Sequence, residues 1–542
     1  MPIASLADGV ALGAAYSSYD LLIVGSGPVG LAIANECARS ATRVIVVESG
    51  RLVKDSSTDD LDEFESVGER RMANRDVIRT RAFGGTSNVW SGRCTPFDDI
   101  DFEARSWVPF SGWPFDATEL GPYIDRAASY LGLELHHYDE RLWHELGGKP
   151  FAGFDPATLR SQFWQYSTDS INPRDFARAG PQFIRRSIAN VDVLLGATVT
   201  RLNFGPSGRA FASVEVASPD GARHMIRARR AVLCAGGIEN ARLLLSSWRE
   251  SPAGLAESRA LTGRFLMDHP RCTMGTFDAR DAEAINRVFG LYRLRRPGRS
   301  RAFTHGVALS PSLQRQESLL NCAAWLTEAR CPDDPWDALK RLTMGPERQS
   351  RDVAAVLANL PFAARGVKRY FTQGRGVLHK CEAVFLDCLV EQVPDPSSRL
   401  TLSKRTDRFG VPLAQLDWKI NDLEKRTLSH FGEVILTELA RLGLPLPRLA
   451  DWIKDKDFSR AELRDAAHPI GTTRISKDPR HGVVDERCQV HGVDGLYVAG
   501  SSVFPTGGHA NPTLMALALA LRLADHLTES GVEAHRENES IN

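Results

Sequence analysis

Two stretches in the last quarter of the chain carry side chains suited to moving a proton. Ala467-His468-Pro-Ile-Gly-Thr-Thr-Arg474 sets a histidine in a turn-rich loop, off any periodic helix face. Imidazole changes charge near neutral pH and can take a proton there. Val503-Phe-Pro-Thr-Gly-Gly-His509-Ala-Asn511-Pro512-Thr513-Leu514 leads into an alanine- and leucine-rich helix predicted over 512–527. Proline favours the first helical turn, which puts Asn511 at the cap and aims the positive end of the helix dipole where Asn511 projects. A side-chain amide orients an oxygen without adding charge.

The elements that must position this chemistry begin near the N-terminus. An apolar run over 21–24 reads as a parallel strand covered on both faces. It is followed by Gly25-x-Gly27-x-x-Gly30, a helical pattern, and a second apolar strand over 43–47 that ends on Glu48. In such a unit the first glycine makes the tight turn, and the second lets a pyrophosphate approach the backbone. The third lets helix and strand pack closely, and the acid accepts the ribose hydroxyls. The pattern predicts a dinucleotide site and leaves FAD and NAD open. Arg81-Ala-Phe-Gly84-Gly85-Thr86-Ser-Asn88-Val89-Trp90-Ser-Gly-Arg93 is too apolar for a surface turn and reads as a loop lining a large planar ligand. Short strands over 191–195, 198–202 and 212–217 lead to Arg230-Ala-Val-Leu-Cys-Ala235-Gly-Gly237, which opens a helix over 240–248 and suits a further phosphate or ribose approach.

Composition narrows the function classes. With 542 residues the chain can bury two or more cores. Lys plus Arg equals Asp plus Glu at 67 each, so the basic excess of a nucleic-acid partner is missing. Nine scattered cysteines without CxxC spacing fit buried thiols in a reducing compartment, and no metal site is expected. No apolar run reaches the roughly 18 residues of a membrane span, and the first 18 residues lack the features of a signal peptide. Cytoplasmic location is the expectation.

Residues 54–69 are polar and acidic and are predicted to form a surface loop or short helix, and an amphipathic helix is expected over 118–133. From 271 to 455 short strands (302–310, 381–392, 399–403, 414–420) alternate with helical pieces and no glycine fingerprint recurs, an α+β pattern read as a second domain. Within it, 352–371 is apolar and then basic, a helix packed on its own domain or one touching a membrane surface or partner.

These pieces in this order resemble the glucose–methanol–choline (GMC) oxidoreductases over nearly the whole chain. The resemblance rests on GSGPVG, the Gly84-Gly85 loop, Leu233-Cys-Ala-Gly-Gly-Ile-Glu-Asn240, Met267-Asp-His-Pro270 and the C-terminal block. GGTSNVW, Gly500 in place of an aspartate usual in other branches, and Ala510-Asn-Pro-Thr-Leu514 are similar to the branch of pyranose oxidase and bacterial sugar dehydrogenases. The resemblance implies a discontinuous Rossmann-type FAD domain (15–270 and 456–533, with parts of 90–190 on the substrate side). It also implies a substrate domain over 271–455 built on an antiparallel sheet with helices, an α/β plus α+β architecture.

The implied activity is oxidation of a CH–OH group, expected on a sugar or glycoside, with the hydride passing to flavin N5. His468 would be the base and Asn511 its partner. A non-sugar alcohol such as a polyol, cyclitol or secondary metabolite is the alternative, and a lyase of the same fold a further one. The FAD-lining candidates are Gly25, Gly27, Gly30, Glu48, Gly84, Gly85, Thr86, Asn88, Val89, Trp90, Val199, Ala235, Gly500, Asn511 and Thr513. His509 and Gln392 are candidate substrate contacts. Val89 stands where pyranose oxidase has a flavin-linking histidine, so FAD is expected to bind non-covalently. The electron acceptor, O2 or another, and the oligomeric state stay open.

Overall fold

The computed structural model describes residues 3–6, 19–40, 42–69, 71, 75–134, 137–170, 172, 175–186, 188–248, 256–296, 299–344 and 349–539. Most of the first 18 residues, whose lack of signal-peptide features is noted above, lie outside these. Tyr19–Val24 and Val44–Val47 are almost wholly buried and pair in parallel, as apolar strands covered on both faces must. They sit in an eight-stranded sheet. Val191–Leu195 lies beyond Val44–Val47, and Arg223–Leu233 flanks Tyr19–Val24 on the other side. The first half of Arg223–Leu233 pairs antiparallel with Phe211–Ala217, and its end pairs in parallel with Leu496–Val498. The C-terminal segment thereby returns to the strand ends from which the first glycine loop departs.

Helix Pro28–Cys37 covers this sheet, and the last helix, Thr513–Glu539, packs between it and helix Ala117–Tyr130. Polar clasps fix the trio: Arg126 bridges Asp525 and Glu36, and Tyr130 donates to Glu36.

A second eight-stranded sheet is antiparallel at every pairing, in the order Arg448–Leu449, Arg271–Asp278, Cys381–Val390, Cys322–Arg330, Arg299–Leu309, Leu159–Tyr166, Arg93–Cys94, with Gly290–Arg296 on Arg299–Leu309. Its apolar face packs on helix Asp422–Arg441 through Leu428, Phe431, Ile435 and Leu439. One segment differs from the sequence reading. The hairpin Arg399–Thr406/Pro412–Asp417, placed above in the second domain, pairs instead with Phe64–Ser66. It lies on helix Gly236–Ser247, because Leu400, Ala414, Leu416 and Trp418 share one core with Ile238 and Ala241. Residues 54–69 form the short helix that was one of the two expectations, a 3-10 helix over Ser56–Asp62, and in addition that edge strand, with Leu61 and Asp62 buried.

Residues 352–371 fall in two helices, Ser350–Ala358 and Leu360–Gln373, anchored where Gly366 abuts Trp336 and Arg369 donates to the Asn286 carbonyl. All nine cysteines are unpaired. Among the described residues no helix is long and apolar enough to cross a membrane.

Candidate active site

A cavity of about 600 Å³ contains both the glycine fingerprint and the histidine loop on its walls. At one end the three glycines do three different jobs. Gly25 takes φ +102°, and a Cβ there would meet the Cys234 carbonyl at 2.8 Å, so the turn is closed to other residues. Gly27, the N-cap of Pro28–Cys37, has nothing within 4 Å of a Cβ position and opens onto the cavity with the helix N-terminus behind it. Gly30 faces away, and its Cβ would lie 2.1 Å from the Gly25 carbonyl, so it serves packing and not the cavity wall.

Glu48 lies on the cavity wall, and its carboxylate accepts from Ser26 N–H (2.9 Å), Ser26 Oγ–H (2.6 Å) and Gly50 N–H (2.8 Å). Burial raises its pKa. In this arrangement it ties the fingerprint loop to the end of the second strand.

The second glycine loop docks on the first. Gly84 N–H donates to Ser26 O at 3.0 Å, and a Cβ on Gly85 would reach Gly27 Cα at 2.8 Å. Gly85, Thr86, Val89 and Trp90 line the cavity, as do Val199, Ala235, Gly500 and Thr513. Gly84 and Asn88 do not. Gly84 turns the chain at φ +96°, and Asn88 spends its amide on Phe83 O. The Gly236-Gly237 pair, read from sequence as a phosphate or ribose approach, divides its work. Gly236 opens onto the cavity, but Gly237 is the seat of the histidine loop, since a Cβ there would lie 2.1 Å from Pro469 O.

The histidine loop is built by Asp268. Its Oδ1 accepts from Ala466 N–H and its Oδ2 from His468 N–H, both at 2.9 Å, while Arg71 neutralises it. Gripping the amides on either side forces the residue between, Ala467, into the left-handed region at φ +62°. That strain presents His468 to the cavity. His468 Nδ1 lies 3.0 Å from His269 Nδ1, and its Nε2 lies 3.3 Å from Asn511 Nδ2. His269 Nε2 faces Gly507 O at 3.3 Å.

A carbonyl only accepts, so His269 carries its proton on Nε2 and offers a lone pair at Nδ1. His468 must then carry its proton on Nδ1, which leaves Nε2 a lone pair at the cavity wall. Burial, then the His269 and Arg93 neighbours, hold the His468 pKa well below its ordinary value; burial lowers His269 as well. Asn511 Oδ1 is buried without a partner.

Three sequence expectations are corrected here. Gln392 does not line the cavity: its oxygen accepts from Asp268 N–H and Trp418 Nε1–H, and its nitrogen donates to Lys419 O, so no polar atom remains for a substrate. His509 does not line it either: it is 2% exposed and held against Asp98, Arg160 and the edge of Trp164. The final helix begins at Thr513, with Pro512 O accepting its first bond, so Asn511 stands one residue before the cap. Sequence reasoning assigned no role to Asp268, His269 or Arg93; the Met267-Asp-His-Pro270 motif was the available signal for the first two.

Residues 394–520 match the family model of the GMC oxidoreductases. The chain is 22% identical to a 2-methyl-1,2-propanediol dehydrogenase of Mycolicibacterium austroafricanum, covering 94% of this chain and 95% of that protein. It is 24% identical to a 6'''-hydroxyparomomycin C oxidase of Streptomyces lividus, over 96% and 94%. Over residues 394–520 the chain carries the C-terminal part of a GMC oxidoreductase. A solved formate oxidase from Aspergillus oryzae has a similar fold: TM-score 0.58, 19% identity, 95% of this chain and 99% of that one.

Proposed function

We propose that this protein is an FAD-dependent oxidoreductase acting on a CH–OH group of a small alcohol, on a sugar or glycoside in preference to a simple alcohol. The observation that carries this reading is the pairing of a histidine Nε2 lone pair with an asparagine amide, on the wall of the cavity that also holds the dinucleotide fingerprint. The residues fit FAD. Gly27 and the following helix N-terminus would hold the pyrophosphate, Glu48 would meet the ribose, and Gly85, Thr86, Val89 and Trp90 with Gly500 and Thr513 would line the flavin. When bound, FAD supplies the hydride acceptor. An alcohol oxygen entering between His468 and Asn511 would give its proton to Nε2 while the Asn511 amide orients it. His269 acts as a positioning residue that keeps the His468 proton on Nδ1. The start of the last helix favours negative charge developing nearby.

Non-covalent binding is part of the reading, because Val89 brings no nucleophile to the cavity and burial pushes the nearby Cys234 thiol up and out of reactivity. The two-unit division and the cytoplasmic site are likewise part of it, the latter supported by nine unpaired thiols. A non-sugar substrate is favoured by one observation, the diol named for a relative.

The test is anaerobic mixing of the purified yellow protein with panels of sugars and of simple alcohols. Bleaching of the flavin by a sugar or glycoside is expected, and acid should release the colour from the polypeptide. A flavin that no alcohol reduces would favour lyase chemistry and end the oxidoreductase reading.

A further inference from the structure

Five arginines line the cavity: Arg79, Arg81, Arg93, Arg242 and Arg271. Four of them meet a carboxylate. Arg81 pairs with Asp62 at 2.9 Å, Arg79 with Glu239, Arg242 with Asp407 at 2.7 Å and Arg271 with Asp387 at 2.7 Å. Arg93 differs: among the described residues its guanidinium makes no ion pair and no hydrogen bond. It sits in the corner of two indoles that meet at 72° with ring centres 6.0 Å apart, its central carbon 4.0 Å from the Trp325 ring centre and 4.7 Å from that of Trp164.

Cation–π contact of this kind holds the guanidinium without using its N–H groups, and among the described residues nothing accepts from them. The side chain is half-buried on the cavity wall, and burial lowers its pKa to about 10, so it stays charged. A partly desolvated cation with idle donors facing a cavity is suited to an anion that enters there.

Among the described residues no carboxylate on the cavity wall is free to pair with it. The carboxylates there are Glu48, Asp62, Glu239 and Asp407. The first is satisfied by Ser26 and Gly50, and the other three by the paired arginines. Arg93 also belongs to the reacting end. Trp325 lines the cavity beside it, and its charge bears on His468.

We propose that Arg93 is the anchor for a carboxylate carried by the substrate, so that the preferred alcohol is a hydroxy acid of the uronate or sugar-acid type. This rests on the alcohol-oxidation reading above. A carboxylate matches the planar fork of N–H groups in a bidentate way. Charge counting favours it over a phosphate monoester. One guanidinium is unanswered, and one negative charge answers it, whereas a dianion would bury a second charge without a partner because Arg271 is already spent on Asp387. The two ring contacts also hold Arg93 in place, so it selects substrates by where the carboxylate sits relative to the reacting hydroxyl.

The experiment uses the flavoprotein as purified. Glucose and glucuronate, and methyl glucoside and methyl glucuronide, form pairs that differ in the carboxylate. In anaerobic stopped flow the carboxylate member of at least one pair should reduce the flavin at least tenfold more efficiently. In Arg93→Gln that ratio should fall at least tenfold, with Arg93→Lys intermediate. Calorimetric titration with glucuronate, which needs no turnover, should show the same loss of affinity; should Arg93→Gln fail to fold, the Lys variant and the wild-type ratio decide.

Equal efficiencies within both pairs for the wild type, or an unchanged ratio in the variants, overturn the proposal. So does Arg93→Gln that loses FAD or shifts the flavin potential while keeping the ratio, since the guanidinium would then serve the cofactor. If no alcohol reduces the flavin, the oxidoreductase reading fails separately. Calorimetry then decides for Arg93: tight glucuronate binding lost in the variant upholds the anchor, and absent binding removes it.

Discussion

His468 and His305 are both buried imidazoles whose pKa values burial pushes down, and they sit in different halves of the molecule. His305, on the antiparallel sheet, is stacked on Phe163 at 4.7 Å and Phe289 at 5.3 Å, with the edge of Trp143 at 4.8 Å. It donates from Nδ1 to Val288 O, and its Nε2 meets no polar group. His468 has the same kind of burial, but its Nε2 ends at a cavity wall beside an amide, and its Nδ1 is pinned by a second histidine. A lowered pKa therefore does not separate a working histidine from a core one. What separates them is whether the lone pair is addressed to space that a ligand can enter.

The largest expected effect breaks this pair apart. His468→Ala should slow flavin reduction by about 10²–10⁴-fold, the range for loss of a general base. His305→Phe should leave the reduction rate near wild type, because its ring does not line the active-site cavity. Stopped-flow reduction of the two variants side by side is the measurement. Equal losses would mean that His468 acts through folding and not through its lone pair.

The sequence made one half of this comparison legible. Glycine spacing, strand character and the acid at Glu48 announced the dinucleotide site because each is a local requirement of one turn or one cap. His468 stood out through the resemblance of its whole C-terminal block to the GMC family, since a histidine in a turn-rich loop is by itself no signal. What stayed hidden depends on partners far away in the chain. Asp268 grips amides some 200 positions on, as the bonds to Ala466 and His468 show. His509 looked like a contact because it stands two residues from Asn511, yet the backbone turns it towards Asp98 and Arg160. Gln392 is consumed by three bonds that no local pattern foretells. The hairpin at Arg399–Asp417 was assigned to the wrong neighbour for the same reason: its alternation shows that one face is buried, not against what.

A smaller effect sharpens the other half. Burial takes the His305 pKa from 6.5 down to about 3. The unfolded chain then binds a proton at a pH where the folded chain does not. Stability from this residue is thus unaffected above about pH 6.5 and is lost progressively as pH falls towards 3. Between pH 7 and pH 5 that amounts to about 2 kcal/mol. His305→Phe should remove that part of the acid dependence whatever it does to stability at pH 7. Denaturant unfolding of both proteins at the two pH values gives the double difference, and a value near zero would mean His305 is protonated in the fold.

The smallest effect concerns how the His468 lone pair is aimed. His269 Nε2 faces a carbonyl, so its Nδ1 is an acceptor, and it fixes the proton of His468 on the far nitrogen. His269→Leu removes the acceptor without adding a charge. A fraction of His468 would then hold its proton on Nε2, where it cannot take the substrate's, and reduction should slow by about tenfold, or about 1.4 kcal/mol of barrier. His269→Gln offers a side-chain oxygen to the same Nδ1–H and should recover most of the rate. A packing role predicts a different pattern, since both substitutions disturb the buried ring site and neither would rescue the other. Leu at the wild-type rate, or Leu and Gln equally slow, would reduce His269 to a core residue like His305. The expected order is wild type, then Gln, then Leu, with flavin content equal in all three. That order would show that the difference between the two buried histidines lies in a single hydrogen bond behind the ring as well as in the open space before it.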